Sequence, residues 1–409
     1  MATPKWYTCT PVRFPGDDTF FHRESGLFCK AFQKVGVESM AVMPGPARDG
    51  DSQEDLIRTD YSNLENPDWW KSLGLDGVVF YAWGSPRYTK IARAIHESGT
   101  FLASSIDASG LMSPYRAFPE YARLLLSSRM ARQGIIPGSI TAAAALTRSL
   151  VPGLFDRKRL EHLSHADCVT VVTPQGAEIM KDLANRFGYP AVADKVRYLP
   201  HPQLSHYAYD GTPKENLIVT VGRWQTTDWH QKNPKLLLQA LAGFFSRRDD
   251  YRAVIVGNSS ELLLPLIDRH CPEMKDRIEL VPFVTPPELR DLYVRSKIGF
   301  WASSHEGQQG TGAQALCCGC SVVSTGGVAM SCFAHYASRA SGRQSLRNDS
   351  RFLSDALLLE SLAWDDGSRH PERIAHGWCA ELHEVNVAKR VLDLARNLRP
   401  ATPNPIPAI

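Results

Sequence analysis

A chain of 409 residues with 43% hydrophobic and 22% charged residues has the composition of a soluble globular protein. This length exceeds what one ordinary hydrophobic core holds, so two domains of roughly 200 residues each are expected. A net charge of +3 is too small to indicate nucleic acid as a partner, and we expect none.

The N-terminus and the cysteine content favour a cytoplasmic protein. Residues MATPKWYTCTPVRFPG lack the apolar core of a signal peptide. The longest weakly polar run, IIPGSITAAAALTRSLVPGLF, contains proline, glycine and Arg148, which makes it a poor membrane-spanning helix. The nine cysteines are odd in number and do not fall into paired short spacings, as expected for reduced thiols in the cytosol.

The first half of the chain alternates short apolar strands with helical stretches. Strands are predicted at residues 5–12, 38–43, 77–83, 101–107, 168–173 and 196–200. A loop over residues 13–26 precedes a predicted helix at 27–36. Continuous apolar runs flanked by helices indicate a parallel sheet that is covered on both faces. Because ligands bind beyond the carboxyl ends of such strands, the His22–Gly26 loop, Trp83–Ser85 and Asp107 should share one edge.

Residues 115–159 differ in charge from the rest of the chain. They carry eight basic and two acidic residues, a net charge of +6 within a chain of +3. In YARLLLSSRMARQG, arginine alternates with leucine and methionine, as in a helix at an anionic membrane surface, although a solvated basic face explains the pattern equally well. The basic residues are Arg116, Arg123, Arg129, Arg132, Arg148, Arg157, Lys158 and Arg159.

A second alternating set follows a polar, turn-rich linker at residues 201–216. Its predicted strands are 217–223, 253–257, 278–284, 298–304 and 321–325, and residues 371–398 form a long amphipathic helical stretch. We therefore predict an α/β protein with two Rossmann-like doubly wound domains that face each other across a cleft. The expected divisions are an N-terminal domain at 1–203, a C-terminal domain at 204–375 and a helix at 376–397 that packs back across both.

One stretch of the second domain, residues 303–324, joins a predicted strand to a glycine-rich turn and a short helix. Its sequence is SSHEGQQGTGAQALCCGCSVVS. Backbone N–H groups in such a turn and at a helix N-terminus can face an anion. Glu306 lies beside the turn, where its carboxylate can hold a neutral polar ligand or cap the helix. Cys317, Cys318 and Cys320 come close to a metal pattern, but without a matching pair elsewhere core packing explains them better.

Two cations are predicted to lie near this turn. Arg223 ends the first strand of the second set, and Lys232 opens the helix that follows. An arginine offers a planar fork and a lysine a point charge, so the two can converge on a diphosphate. Such a pair is also common on ordinary surfaces, but beside the 303–324 turn it favours a phosphorylated or nucleotide-linked substrate.

Two segments resemble a known enzyme family. VGRWQTTDWHQKNPKLLLQAL and VPFVTPPELRDLYVRSKIGFWASSHEGQQGTGAQALCCGCSVVST are similar to the retaining GT-B glycosyltransferases of the group 1, family 4-like type. That family includes glycogen synthases and bacterial phosphatidylinositol mannosyltransferases. ADCVTVVTPQG and VRYLPHP resemble two further segments, so the resemblance covers residues 160–395 well and the first 160 weakly. It implies the GT-B fold.

The resemblance implies a role for each matched residue. Arg223 and Lys232 match the pair that neutralises the diphosphate of the donor, and Glu306 matches a glutamate that contacts the donor sugar; these three would be catalytic. Val284 matches the position whose backbone meets the base. The resemblance implies no metal and no tightly bound cofactor. The co-substrate would be a UDP- or GDP-linked sugar. Backbone N–H groups for the donor would come from Gly307, Gln308, Gln309, Gly310, Thr311 and Gly312.

Three positions depart from the family pattern. The second glutamate, expected eight positions after Glu306, is Gln314, whose amide can still bind ribose hydroxyls. A histidine common after the fourth strand is replaced by SSIDASG, in which Asp107 accepts from a sugar hydroxyl or forms a turn. A usual Gly-Gly is Ser25-Gly26, which leaves Gly26 alone to approach the donor. The candidates on the acceptor or donor-sugar side are His22, Ser25 and Asp107.

The sequence therefore predicts a retaining glycosyltransferase that moves a hexose-type sugar from a nucleotide-diphosphate sugar to a glycan, lipid-linked or small-molecule acceptor. Two alternatives stay open. A catalytically inactive, glycosyltransferase-like partner protein would explain Gln314 and the missing histidine, and a nucleotide-sugar epimerase would share the fold. The expected location is the cytoplasm, with peripheral contact at the inner face of the membrane if residues 115–159 bind anionic lipid.

Overall fold

The computed structural model describes residues 3–52, 54–107, 118–149, 153–326, 331–338 and 340–398. Its strands form two parallel sheets, of seven and six strands, with helices between most successive strands. The predicted α/β class with two doubly wound sheets is therefore confirmed. The exact division into domains at residues 203 and 375 stays a prediction.

The first sheet has the strand order β3-β2-β1-β4-β5-β6-β7, with every neighbouring pair parallel. The direction of the order changes between β1 and β4, so the loops that follow these two strands diverge and leave a crevice. The strands are β1 Trp6–Cys9, β2 Ala41–Pro44, β3 Leu56–Thr59, β4 Gly77–Phe80, β5 Phe101–Ile106, β6 Cys168–Val171 and β7 Val196–Tyr198.

The second sheet has the order β10-β9-β8-β11-β12-β13 and is also fully parallel. Its order changes direction between β8 and β11, which places the loop after β8 beside the 303–324 stretch. The strands are β8 Glu215–Val221, β9 Arg252–Val256, β10 Ile278–Val281, β11 Ser296–Trp301, β12 Ser321–Ser324 and β13 Gly342–Gln344.

Helices cover both sheets. Among the described helices, none combines the length and apolar content that a bilayer-spanning segment needs. In the first half they are α1 Asp18–Phe21, α2 Glu24–Lys34, α3 Tyr61–Leu64, α4 Pro67–Ser72, α5 Thr89–Glu97, α6 Phe118–Gln133, α7 Ile135–Ser149, α8 Leu154–Ser164, α9 Pro174–Arg186 and α10 Pro190–Ala193. In the second half they are α11 Trp229–Lys232, α12 Pro234–Phe245, α13 Leu264–His270, α14 Pro286–Arg295, α15 Gly310–Cys317, α16 Ser331–Tyr336, α17 Ser350–Asp365, α18 Pro371–Leu382 and α19 Glu384–Leu398.

The structure corrects the sequence prediction in the 13–26 loop. This segment contains α1 and the first turn of α2, because the side chain of Asp17 accepts a hydrogen bond from the backbone N–H of Phe20 and caps α1. Gly26 therefore lies inside a helix and not in a loop. A Cβ at Gly26 would stand 2.3 Å from the carbonyl oxygen of Phe20, so the close packing of α1 on α2 requires glycine there.

The predicted long C-terminal helix is two helices that break at His383. α18 packs against α15 of the second half, whereas α19 packs on the first sheet through Val387, Ala388 and Val391. The buried carboxylate of Glu384 anchors the start of α19 through a 2.6 Å ion pair with Lys34 of α2. The chain thus passes between the two sheets twice, in the segment after β7 and again at residues 383–384.

Helices α6 and α7 form a hairpin inserted between β5 and β6. They cross closely at Gly138, where a Cβ would stand 2.6 Å from the carbonyl oxygen of Arg129. α6 also packs against α11 and the turn at Thr226–Asp228 of the second half. Residues 108–117, including Arg116, lie outside the described part of the chain.

Candidate functional site

A cavity of about 540 Å³ lies at the carboxyl ends of the strands, where the two halves of the chain meet. On the second sheet it opens at the change of strand order between β8 and β11, the position where doubly wound sheets bind ligands. It is lined from the first half by His22, Arg23, Asp107, His201, Pro202 and Gln203, and from the second half by Val221, Gly222, Arg223, Gln231, Lys232, Glu306, Gly307, Gln308, Gln309, Gly310, Thr311 and Gln314.

A buried ion pair joins the two loops of the second half. Lys232 Nζ lies 2.6 Å from Glu306 Oε1, and the two side chains are only 11% and 8% exposed. Gln231 Nε2 donates to Glu306 Oε2 at 3.2 Å, so both carboxylate oxygens have partners. Asn233 adopts a left-handed conformation, which ends α11 at Lys232. The structure therefore brings Lys232 into contact with Glu306 of the 303–324 stretch.

Two further cations line the cavity with freer side chains. Arg223 is 66% exposed, and its nearest anion is Asp228, at 3.4 Å. Arg23, the residue before α2, is also exposed and lines the cavity from the first half. Because neither guanidinium is buried in an ion pair, both can turn toward an anionic ligand.

The glycine-rich turn rests directly on the first half of the chain. The backbone N–H of Gln308 donates to Asp107 Oδ1 at 2.7 Å. The side-chain amide of Gln308 also accepts from the backbone N–H of His201 at 2.5 Å and donates to its carbonyl oxygen at 3.0 Å. A Cβ at Gly307 would stand 2.2 Å from the Asp107 carbonyl oxygen, so this contact requires glycine. Gln308 and Asp107 therefore fasten the turn across the cleft.

The next residues of the turn cap α15. The side chain of Gln309 accepts from the backbone N–H of Gly312 and donates to Thr311 Oγ1. The N–H of Gly312 is thereby occupied, and Gly312 does not line the cavity. Gly310 and Thr311 line it beside the helix N-terminus, which attracts negative charge.

Gln314 is the residue that replaces the expected second glutamate. It lies one turn into α15 and lines the cavity. Its Oε1 is buried and accepts no hydrogen bond from any residue that the structure describes. Its side chain is half-buried in the cavity wall, where the amide can form hydrogen bonds with a ligand.

A second cavity, of about 420 Å³, opens at the change of strand order in the first sheet. Arg23 lines both cavities, so the two adjoin at this side chain. Ser25 belongs to this second cavity, whereas His22 belongs to the first. The remaining lining residues are mostly aromatic or hydroxylated: Thr10, Phe14, Pro15, Asp17, Thr19, Phe20, Tyr81 and Trp83.

Gly26 and Val284 line neither cavity. Gly26 is explained by helix packing, as described above, and Val284 packs against the hydrophobic core of the second half, beside the exposed Phe283. Donor contacts by these two residues stay predictions. Among the described residues, the side chains grouped closely enough to ligate a metal lie outside the cavities, at Cys317, Cys379 and His383.

The sequence placed Arg23 in the His22–Gly26 loop at the ligand-binding edge without singling it out. It did not indicate His201, Gln203 or Gln231 as lining residues. Arg23 follows His22 and Gln231 precedes Lys232, so their position next to a candidate residue was the sequence feature that could have indicated them. His201 and Gln203 lie in the predicted linker, and their place in the cavity depends on how the chain passes from β7 to the second sheet.

Comparisons with known proteins address the family and the fold of the chain. Residues 215–335 match the family model for glycosyl transferases group 1. This match confirms the resemblance to group 1 glycosyltransferases and the expectation of a glycosyltransferase, whereas the retaining mechanism and the family 4-like type stay predictions. A search of curated protein sequences gives no match.

Solved structures match over nearly the whole chain at low identity. The Anabaena protein HepE in complex with UDP has a TM-score of 0.62 and 10% identity, over 97% of this chain and 100% of its own. Sucrose-phosphate synthase from Thermosynechococcus elongatus has a TM-score of 0.61 and 14% identity, over 97% and 99%. A candidate UDP-N-acetylglucosamine 2-epimerase from Listeria monocytogenes has a TM-score of 0.57 and 13% identity, over 100% of both chains. These similarities confirm the GT-B fold.

Burial of His201 in the cleft predicts a pH-dependent stability. Desolvation lowers the pKa of its imidazole to about 3, whereas an unfolded histidine titrates near about 6.5. Only the unfolded chain binds this proton below about pH 6.5, so stability is fully present above that pH and is lost as the pH falls toward 3. At about pH 5 the loss from His201 is about 2 kcal/mol.

Urea denaturation at about pH 7.5 and about pH 5 measures this dependence. His201→Gln should reduce the difference between the two midpoints, because glutamine does not titrate. His22→Gln, at an exposed histidine of the same cavity, should leave it unchanged. Equal pH dependence in wild type and His201→Gln would show that His201 is not the group responsible.

Proposed function

We propose that this glycosyltransferase of the group 1 type transfers a hexose from a nucleotide-diphosphate sugar with retention of the anomeric configuration. One observation carries the proposal: Lys232, Glu306 and Arg223 line a single cavity at the change of strand order in the second sheet. Cations and a carboxylate at that edge suit a ligand with an anionic diphosphate and a neutral sugar.

The cations perform the chemical work that such a transfer needs. Negative charge develops on the departing diphosphate as the bond to the anomeric carbon breaks, and Lys232 and Arg223 stabilise that charge. Lys232 exchanges part of its contact with Glu306 for phosphate oxygens. The Glu306 carboxylate, still held by Gln231, then accepts from sugar hydroxyls.

The nucleotide is held by the opposite wall of the cavity. We assign the ribose hydroxyls to the amide of Gln314 in the cavity wall and the base to the backbone near Val284, which lies outside the cavity. HepE, a structural neighbour, was solved with UDP, which supports a uridine nucleotide over a guanosine nucleotide here. The anion itself lies against Gly310 and Thr311 at the N-terminus of α15.

The acceptor occupies the second cavity of the first half. Its aromatic residues and hydroxyl groups suit a glycan or lipid-linked sugar, since aromatic faces pack against sugar rings and hydroxyls pair with hydroxyls. Arg23 stands between the two cavities, where donor and acceptor must meet. The transfer rests on positioning and needs no metal in this scheme.

Two alternatives differ in what the protein does with a donor. The similarity to a candidate epimerase means that the fold alone does not separate an epimerase from a transferase. A purified enzyme incubated with nucleotide sugars and glycan acceptors should release free nucleotide. Isomerised nucleotide sugar without acceptor would indicate the epimerase, and donor binding without turnover would indicate an inactive partner protein.

Removal of either charged residue of the ion pair should abolish transfer. Lys232→Ala and Glu306→Ala should each lower the turnover number by at least about a hundredfold, because each removes a group that stabilises the transition state. Lys235→Ala, at an exposed lysine of α12 outside the cavity, is the matched control and should keep wild-type activity. Circular dichroism checks the fold of each variant, and full activity of Lys232→Ala would refute the assignment.

Gln314 should affect binding of the donor more than the chemical step. Gln314→Ala removes a contact to the nucleotide that is equal in ground and transition states, so KM for the donor should rise while kcat stays within about threefold. Gln239→Ala on α12 serves as the control. A large loss of kcat without a change in KM would place Gln314 at the reacting sugar instead of the ribose.

The α6–α7 hairpin supplies a surface for peripheral membrane contact. At its tip Ile135, Ile136 and Ile140 are 71%, 74% and 64% exposed. Arg129 and Arg132 are exposed on the adjoining end of α6. Exposed apolar side chains beside arginines suit an anionic bilayer, whose headgroups attract the arginines while the isoleucines enter the interface.

The structure narrows the basic surface that the sequence indicated. Arg159 is buried against the ring of Phe155, with its guanidinium 4.7 Å from the ring centre, so it cannot meet a lipid headgroup. Asp156 is buried as well. The membrane surface that we propose is the end of the hairpin around residues 129–140, where exposed isoleucines adjoin exposed arginines.

Sedimentation with vesicles tests this surface. Ile135→Ser combined with Ile136→Ser should weaken binding of the full chain to vesicles of phosphatidylglycerol and phosphatidylcholine by at least about tenfold, because apolar burial is lost. Leu262→Ser combined with Leu264→Ser, two exposed leucines of the second half, is the control. Unchanged binding of the isoleucine variant would exclude the hairpin tip as the membrane surface.

A further inference from the structure

A cluster of two thiols and an imidazole lies behind the donor cavity, at the far end of α15. Cys317 ends α15, Cys379 lies in the last turn of α18, and His383 joins α18 to α19. Their potential ligand atoms all lie within 4.8 Å of one another. Cys317 is fully buried, and the other two are partly accessible to solvent.

This cluster was not predictable from the sequence, because its members come from distant segments. The CCGC run suggested Cys318 and Cys320 as companions of Cys317. Cys320 is not part of the cluster, because its Sγ donates instead to the carbonyl oxygen of Tyr293 at 2.9 Å. The actual companions come from α18, which packs along α15.

A hydrogen bond fixes the histidine in the form that binds metals. His383 Nε2 lies 3.0 Å from the carbonyl oxygen of Tyr207. A carbonyl oxygen only accepts, so Nε2 carries the proton and Nδ1 of the neutral ring keeps its lone pair. Metal-binding histidines characteristically donate their other ring N–H to a carbonyl oxygen in this way.

We propose that Cys317, Cys379 and His383 form a zinc site. Two thiolates and one imidazole suit Zn²⁺, which prefers sulfur and nitrogen ligands in tetrahedral geometry. Ligand atoms at usual zinc distances stand about 3.3–3.8 Å apart, so their separations must shorten by at most about 1.5 Å to complete the site. Binding releases two thiol protons to solvent and leaves the site neutral, and a water molecule fills the fourth position from the accessible side.

The position of the cluster gives zinc a structural task. Tyr207 belongs to the segment that leads from the first sheet to the second, and His383 stands where the chain returns to the first. A zinc ion here would fasten α15, whose other end forms the donor cavity, to both of these crossings. The site is independent of the proposed transfer reaction.

Cobalt titration of the reduced, chelator-treated full chain tests the proposal. We expect one equivalent of Co²⁺ with sulfur-to-cobalt charge transfer in the near ultraviolet and tetrahedral bands in the visible, displaced by Zn²⁺. Cys379→Ser and His383→Ala should each weaken cobalt binding by more than about tenfold, since even loss of an outer partner costs that much. Zinc should also raise the melting temperature of the wild type and not that of Cys379→Ser.

Controls separate the site from the other thiols and imidazoles of the second half. Cys332 and His270 lie outside the cluster, so the Cys332→Ser and His270→Ala variants should bind cobalt as the wild type does. Two results would overturn the proposal. One is the absence of stoichiometric cobalt binding by the reduced chain, and the other is a Cys317–Cys379 disulfide, found by mass spectrometry in protein purified without air, which would consume both thiols.

Discussion

The buried ion pair between Lys232 and Glu306 sets the geometry of the cleft. It joins the loop after β8 to the loop after β11, the two loops that diverge at the change of strand order. Removing one member of such a pair leaves a buried charge unpaired and typically costs about 3–5 kcal/mol. The pair therefore holds both loops in place before any ligand enters. It also keeps a cation and a carboxylate next to each other in the wall of the cavity.

The turn that carries Glu306 is also tied to the first half of the chain. Gln308 forms hydrogen bonds with Asp107 and with the backbone of His201, and Gly307 leaves the room that Asp107 needs. The glycine in this turn is thus explained by the contact across the cleft as much as by an approaching phosphate. Any opening of the cleft must break these hydrogen bonds, which makes Gln308 part of the closure between the two halves.

The sequence predicted the features that depend on local pattern. Strands such as β8 and β11 contain apolar runs, and Lys232 and Glu306 follow these strands closely in the sequence. The edge strands β3 and β13 were missed because they are short and partly polar. Arg23 and the partners of Cys317 were missed because their positions depend on tertiary packing: α2 turns Arg23 into the cleft, and α18 brings Cys379 and His383 to α15.

The most direct test of the central claim is a thermal-shift measurement of nucleotide binding by the wild-type chain, with uridine, UDP, GDP and ADP as ligands. The account predicts that a nucleoside diphosphate, UDP foremost, raises the melting temperature by several degrees at about a hundred times its dissociation constant, whereas uridine does not. The shift should vanish in Arg223→Ala combined with Lys232→Ala. A folded wild-type protein that gives no shift with any nucleoside diphosphate would contradict the assignment of the cavity as a donor site.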